Sequence, residues 1–453
     1  MKIIIFDDDP TGSQSVYGCP LLLSWDINTL LKAVDHPSPL IFILANTRSL
    51  SPDLADQRIR EICINFSSIC TQKGFSFEDF YFISRGDSTL RGHGIIEPSA
   101  ISDILGPFNA TFHIPAFLEG GRTTVNSIHL LNDCPVHLTD FALDSIFGYS
   151  SSYLPDWLEE KSQGDISALS VRTIDIGMLE LALDQDIGFN KLLDFILSLE
   201  NNQCVVVDAQ NYNHLDIFVK AIRSIDNKER FLFRSAASFI KSLSELPLNK
   251  KNQLELISSR LKGKFLDFKP GIVVVGSHVQ LADKQLIHLL REPSCEGIEL
   301  PVQQIAIALN DKSSNYIISE LQLFWRDSIR EILTAGRTPV IYTTRGEIPF
   351  ENSTSRMKFG LDLANIIATL VGEISSEIGY LISKGGITTQ IILENGLHLK
   401  EVYLAGQILP GLSMVITPKD SKISQLPVIT FPGNLGDEMT LLNAWKIMEA
   451  NSY

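Results

Sequence analysis

The chain is poor in the features that would place it in a special class. Its six cysteines, Cys19, Cys63, Cys70, Cys134, Cys204 and Cys295, include no Cys-x-x-Cys pair. That removes the usual zinc and redox spacings and leaves reduced, structural thiols. Basic residues are outnumbered, 38 Lys and Arg against 53 Asp and Glu, for a net charge of −15. A general nucleic-acid or membrane-surface binder is therefore unexpected, although a local basic pocket for an acidic metabolite is compatible with this balance. No apolar window reaches the length of a membrane span, and there is no low-complexity tract, heptad run or short repeat. Neither G-x-x-x-x-G-K-[ST] nor the eukaryotic protein-kinase signature set occurs, so a nucleotide site needs a different cradle.

What is present is a soluble α/β grammar. With 453 residues and 44% hydrophobic content, the chain is too long for one ordinary core, and two domains are expected. The segment Met1 to Phe6 runs straight into three carboxylates, so it reads as a first strand rather than an export leader, and a cytoplasmic protein is expected. Further strands are expected at 21–24, 40–45, 79–83, 111–114, 204–208 and 231–233, with helices over 54–70 and 215–225. The second half repeats the pattern, with strands at 272–275, 339–343, 380–383, 402–404 and 428–431. Its helices are expected over 280–290, 317–332, 358–377 and 437–449. Alternation of this kind predicts two domains, each a largely parallel sheet flanked by helices. A polar, lysine-containing stretch separates them, giving domains at 1–245 and 271–453 and a connecting segment at 246–270, with a connecting helix over 253–261.

Chemistry concentrates at strand ends. Ser84-Arg85-Gly86-Asp87-Ser88-Thr89-Leu90-Arg91-Gly92-His93 joins two arginines, one carboxylate and three hydroxyls behind an apolar segment. Arginine forks bind carboxylate or phosphate, Asp accepts a hydroxyl proton, and glycine lets backbone approach a ligand. A solvated turn is the plain alternative. The first strand delivers Asp7-Asp8-Asp9 to its C-terminal end, where ligands bind in open α/β sheets. Such mutual repulsion calls for a metal, a cation or a substrate hydroxyl. Asp7-x-Asp9-x-Thr11 also spells the opening of haloacid-dehalogenase-like phosphatases, with Asp7 as nucleophile and Asp9 as general acid. Gly120-Gly121-Arg122 is a further turn that would add a third cation. In the second half, Gly276-Ser277-His278, Gly385-Gly386-Ile387-Thr388 and Pro432-Gly433-Asn434-Leu435-Gly436-Asp437 follow strands and suit phosphate binding by backbone N–H groups.

In this order the motifs resemble the four-carbon acid sugar kinase family across nearly the whole chain. Asp8-Asp9-Pro10-Thr11-Gly12 resembles its N-terminal signature, Asp87-Ser88-Thr89-Leu90-Arg91-Gly92 its Asp-Ser-Thr-x-Arg-Gly core, and Gly120-Gly121-Arg122-Thr123 the following turn. The glycine turns of the second half follow in the family's order, as does Gly406-Gln407-Ile408-Leu409-Pro410-Gly411. The resemblance makes Asp7 an extra carboxylate, and Ile387 stands where many members carry an acidic residue. It implies an ATP-dependent kinase acting on a tetronate-like sugar acid, with the acid in the first domain, ATP in the second and the active site in an interdomain cleft. On this reading Asp87 is the first choice of general base and Asp8 the second. Arg85, Arg91 and Arg122 hold the substrate carboxylate, Ser88 and Thr89 orient hydroxyls, and Asp8 and Asp9 position the acceptor hydroxyl or Mg²⁺. Ser277, Gly385, Gly386, Ile387, Thr388, Gly433 and Asn434 bind the nucleotide phosphates, assisted by Asp437. Mg²⁺ is expected with ATP, its protein ligands unassigned, and a homodimer is compatible with the class. A phosphatase and a non-catalytic sugar-acid sensor are the alternatives.

Overall fold

The computed structural model describes residues 1–9, 16–226, 228–244, 253–263, 267–310, 314–345, 353–433 and 435–450. Two compact units divide the chain, Met1–Leu248 and Asn249–Tyr453.

In the first unit the strands are β1 (Lys2–Asp7), β2 (Pro20–Leu22), β3 (Leu40–Leu44), β4 (Phe80–Arg85), β5 (Ala110–Ile114), β6 (Arg122–Val125), β7 (Ile128–Leu131), β8 (Cys134–Pro135), β9 (Arg172–Ile174), β10 (Gln203–Val207) and β11 (Phe231–Ser235). The main sheet runs β2-β3-β1-β4-β11-β5-β10-β9, with every pair parallel. Its central strands read as continuous apolar runs because helices cover both faces, as in Leu40–Leu44, buried throughout. The helix Pro52–Lys73 starts with Pro at its first position and ends on Gly74 in the left-handed region (φ 71°). Its buried stripe of Ile59, Ile62, Phe66 and Ile69 packs on the sheet. Phe66 meets Phe80 and Phe82 edge-on at centroid distances of 5.1 and 5.7 Å.

Parallel pairing brings the C-terminal ends of all these strands to one edge. Asp7 sits opposite Arg85, Arg85 opposite Ser235, and Ser235 opposite Ile114. A separate three-stranded antiparallel sheet, β6-β7-β8, follows β5. It was not expected from the sequence, because its strands are short and carry polar residues such as Thr123, Thr124 and His129.

The second unit contains β12 (Ile272–Val275), β13 (Cys295–Leu300), β14 (Thr338–Thr343), β15 (Leu381–Lys384), β16 (Glu401–Leu409), β17 (Leu412–Ile416) and β18 (Pro427–Phe431). They run β13-β14-β12-β15-β18-β17-β16, parallel through β18 and antiparallel beyond it. Thus Val275, Lys384 and Phe431 end side by side, which sets the three glycine turns next to one another. The edge strand β13 escaped sequence reading because Cys-Glu-Gly-Ile-Glu-Leu exposes alternate polar residues. The described part of the expected connecting segment packs into this unit. Its helix is the short turn Gln253–Ile257, and Arg260 donates to the Met448 carbonyl (3.0 Å) and to Glu449 (2.9 Å). Among the described residues no helix is long and apolar enough to cross a membrane.

Candidate active site

At the C-terminal edge of the first unit's sheet, β1 ends in Asp7 and Asp8 follows it, both about 1% exposed. Burial pushes the Asp7 carboxyl up to about 7, with Arg85 opposing the rise and Asp8 and Asp9 adding to it. Arg85 Nη1 lies 3.4 Å from Asp7 Oδ1 and 3.2 Å from Asp8 Oδ1. Arg48 completes the cluster. It follows β3 in a turn whose backbone is tied to the acids: Asn46 N–H donates to the Asp7 carbonyl (3.1 Å) and Arg48 N–H to that of Asp8 (3.2 Å). Its guanidinium grips Asp8 bidentately at 2.7 and 3.2 Å and reaches Asp9 at 3.4 Å. The repulsion among the three acids is thus relieved by two arginines, of which the sequence reading identified only Arg85.

Beyond β4 the chain makes a tight loop in which Leu90 (φ 66°) and Gly92 (φ 96°) take left-handed backbone. Asp87 accepts from the Thr89 hydroxyl (2.5 Å) and from Arg91 Nε (2.7 Å). Burial alone would raise its pKa, but Arg48, Arg91 and Thr89 outweigh it and hold the carboxyl well below the usual range. Arg91 also lies 3.8 Å from Asp144 and stacks over Phe141. The loop is clamped through its carbonyls. His129 Nε2 bonds the Ser88 carbonyl at 2.8 Å, and the Tyr149 hydroxyl donates to that of Thr89 at 2.7 Å. Burial pushes His129 down to about 4, so its ring is neutral, and its other nitrogen pairs with the Thr124 hydroxyl. The small β6-β7-β8 sheet therefore fixes the Asp87 loop. Arg122 is more peripheral: its Nη1 donates to the Gly120 carbonyl (2.8 Å) and its guanidinium lies over Phe117.

A cavity opens between this loop and β11. Asp87, Arg91, His113, Trp157, Arg234 and Ser235 line it, and neither Arg85 nor Arg122 does. Arg234 was missed because its strand reads as Phe-Leu-Phe, and the charge that follows looked like a strand end. Its Nη1 donates to Ser84 Oγ (2.6 Å) and to Glu97, itself 1% exposed. The other Glu97 oxygen accepts from Thr47 (2.7 Å). Among the described residues, Ser235 Oγ, Trp157 Nε1 and Arg85 Nε are buried and have no hydrogen-bond partner. Orphan donors cost about 1–3 kcal/mol each unless a ligand or water satisfies them.

In the second unit Gly276 and Ser277 N–H groups both donate to the Lys384 carbonyl (2.9 and 3.2 Å), and Gly385 N–H to that of Phe431 (2.9 Å). Gly385 has φ 125°, a conformation closed to other residues. A Cβ on Gly276 would lie 2.1 Å from Thr388 Oγ1, and one on Gly433 2.7 Å from Ser277 Oγ. The structure therefore brings Ser277, Gly385, Gly386, Thr388 and Gly433 together, while the Ile387 side chain points outward, 52% exposed. Lys384, buried beneath them, donates to the Pro432 carbonyl (3.0 Å) and lies 3.9 Å over the Phe431 ring. Burial pulls its pKa down to about 7. Asp437 spends its carboxylate locally, accepting from the Met439 N–H (3.0 Å) and the Thr440 hydroxyl (2.7 Å) at the start of the last helix. Pro10, Thr11, Gly12 and Asn434 lie outside the described residues. Among the described residues no three His, Cys, Asp or Glu side chains converge on a metal position, and Asp8 is already engaged by two arginines. The described residues of the first unit thus provide no protein cage for Mg²⁺.

Residues 3–243 match the family of sugar-binding N-terminal domains and residues 272–441 that of nucleotide-binding C-terminal domains. The chain is 23% identical to a D-erythronate kinase of Heliobacterium modesticaldum, over 96% of this chain and 94% of that one. It is 22% identical to a D-threonate kinase of Salmonella typhimurium, over 99% of both. A crystal structure of a Haemophilus influenzae protein from the family DUF1537 superposes over the full length of both chains with a TM-score of 0.66 at 16% identity, a likeness of fold.

Proposed function

We propose, from the premise that the chain belongs to the four-carbon acid sugar kinase family, that it transfers a phosphoryl group from ATP to a hydroxyl of a small four-carbon sugar acid. The observation that carries the reading is the cavity beside Asp87. Its polar groups include one carboxylate, two guanidinium groups and two orphan donors, set against an apolar wall of Leu90, Pro115, Leu154 and Leu158, an arrangement that suits a small anion with hydroxyls on a short carbon chain. Names of the two kinase relatives support the acceptor class.

Phosphoryl transfer needs positioning and charge neutralisation more than a strong base. Asp87 accepts the proton of the attacking hydroxyl as the new P–O bond forms, and its low pKa fits an acceptor that acts late in a loose transition state. Thr89 and Arg91 hold it in place. Asp8 stands second as base because Arg48 and Arg85 already occupy both of its oxygens. Arg48 and Arg85 keep the Asp7-Asp8-Asp9 edge close to neutral, so that an anionic acceptor is not repelled. In the second unit the N–H groups of Gly276, Ser277 and Gly385 are spent on the Lys384 and Phe431 carbonyls, so these glycines would serve the nucleotide phosphates by allowing close approach, with the Ser277 and Thr388 hydroxyls as donors, and Mg²⁺ would be held by those phosphates and its waters.

The test is ADP release from purified full-length protein with D- and L-erythronate and D- and L-threonate. ADP is expected only when an acid is present. Asp87→Asn should lower kcat by about 10²–10⁴-fold while leaving acid binding by calorimetry and the circular dichroism spectrum unchanged. ADP release that is independent of acceptor, or an Asp87→Asn variant with full turnover, refutes the proposal.

A further inference from the structure

The cavity contains two arginines of unequal availability, and that difference identifies how the acid is read. Arg91 has its Nε committed to Asp87 and Thr89, an Nη facing Asp144, and a ring beneath it. Its charge is spent on two carboxylates of its own neighbourhood. Arg234 faces one carboxylate, Glu97, through Nη1 alone. That bond is braced from behind: the Glu97 oxygens also accept from Thr47 (2.7 Å) and Ser84 (2.8 Å), all of them buried. The guanidinium is consequently fixed before any ligand arrives, packed close to Gly86, where a Cβ would come within 2.1 Å of Nη2. Two groups flank it on the cavity side. Ser235, the next residue, offers a hydroxyl without a partner, and His113 sits directly across on β5. Burial and Arg234 together push His113 down to about 3, so it brings no competing charge.

We propose that Arg234, oriented by Glu97 and assisted by the Ser235 hydroxyl, is the receptor for the substrate's carboxylate and the residue that makes the enzyme select a sugar acid over an uncharged polyol. The assignment rests on the acid-kinase reading above and moves the carboxylate from Arg85, Arg91 and Arg122 to Arg234, 150 residues beyond Ser84. Asp87 then addresses the hydroxyl end of the acceptor, and Trp157, whose Nε1 is buried without a partner, adds a further donor in the cavity wall. Glu97 is a positioning residue: it does not line the cavity.

The experiment compares each tetronate with its own carboxamide, which keeps every hydroxyl and loses only the charge. Binding is measured by calorimetry on the full chain, alongside ADP release. A charge-assisted contact of this kind is worth about 10–150-fold in affinity, so wild-type protein should prefer the acid by roughly that factor. Because Arg234→Met alone strands a buried carboxylate, the test variant is the pair Glu97→Gln/Arg234→Met, in which the introduced amide can still bond Thr47 and Ser84. It should lose about the same factor for the acid and keep wild-type affinity for the carboxamide. Glu97→Gln alone should retain most of the preference. Equal losses for acid and carboxamide, or an unchanged acid affinity, overturn the assignment to Arg234 and leave the kinase reading standing. Acid binding without ADP release overturns the kinase reading, and the binding arm still judges Arg234. Failure of wild-type protein to bind any of the acids overturns both.

Discussion

Gly86 offers the sharpest test of the buried pair behind the cavity. Its φ is not in the left-handed region, so alanine brings no backbone strain, and any cost must come from the added methyl. That methyl would lie 2.1 Å from Arg234 Nη2, 2.4 Å from Cζ and 2.8 Å from Nε. Ordinary contact needs more than 3.4 Å, so the guanidinium has to retreat by over 1 Å. A flexible side chain does this freely, but this one is bonded to Ser84 at 2.6 Å and to Glu97. Retreat stretches both beyond hydrogen-bonding range and leaves a carboxylate that is 1% exposed without its counter-charge. Breaking one side of a buried ion pair costs about 3–5 kcal/mol. Gly86→Ala keeps the arginine present, so the lower end, about 3 kcal/mol, is expected. For a unit of this size that corresponds to a fall in Tm of roughly 6–12 °C. Urea denaturation followed by circular dichroism reads the loss directly. The control is the same alanine in the Glu97→Gln/Arg234→Met background, where the obstructing guanidinium is gone and the cost should fall below about 1 kcal/mol. A loss under about 1 kcal/mol in the wild-type background, or an equal loss in both, refutes the argument.

Two buried groups give opposite pH signatures. In the folded protein Asp7 keeps its proton up to about pH 7, whereas the unfolded chain releases it near the ordinary value of 3.8. Stability from this group is therefore fully present below about pH 4 and declines as pH rises to 7, by an amount on the order of 4 kcal/mol. Asp7→Asn cannot ionise, so its urea midpoint should fall less between about pH 5 and 8 than that of wild type; parallel curves would contradict the assignment. Lys384 works the other way. The folded chain sheds its proton near 7 and the unfolded chain only near 10.5, so the second unit should gain stability as pH rises from about 7 towards 10. Lys384→Met, read by the same midpoints, should flatten that rise, and an unchanged slope would show that the ammonium is not desolvated as its surroundings indicate.

What the sequence disclosed follows the reach of its signals. Strands buried on both faces, such as Leu40–Leu44 and Ile272–Val275, announce themselves as short apolar runs, and a long amphipathic helix such as Pro52–Lys73 does so by its stripe. Loops that concentrate chemistry locally were equally legible: Thr89, Arg91 and Asp87 lie within five residues and do bond one another. Half-exposed or polar strands were not, because β13 and the β6-β7-β8 sheet alternate without a strong apolar run. Pairings between distant segments were invisible for a different reason. Glu97 meets Thr47, Ser84 and Arg234 only because parallel strands deliver their C-terminal ends to one edge, and strand order is not written in any local window. The order β3-β1-β4-β11 puts Arg48 beside Asp8 and Arg234 beside Ser84, two cation placements made by the same topological act. An arginine that closes an apolar strand at such an edge cannot stay unpaired in the core. It must meet a buried acid, a ligand or both. Arg234 meets Glu97 through one nitrogen, and the geometry of that single bond is what leaves the remainder of the guanidinium to a ligand.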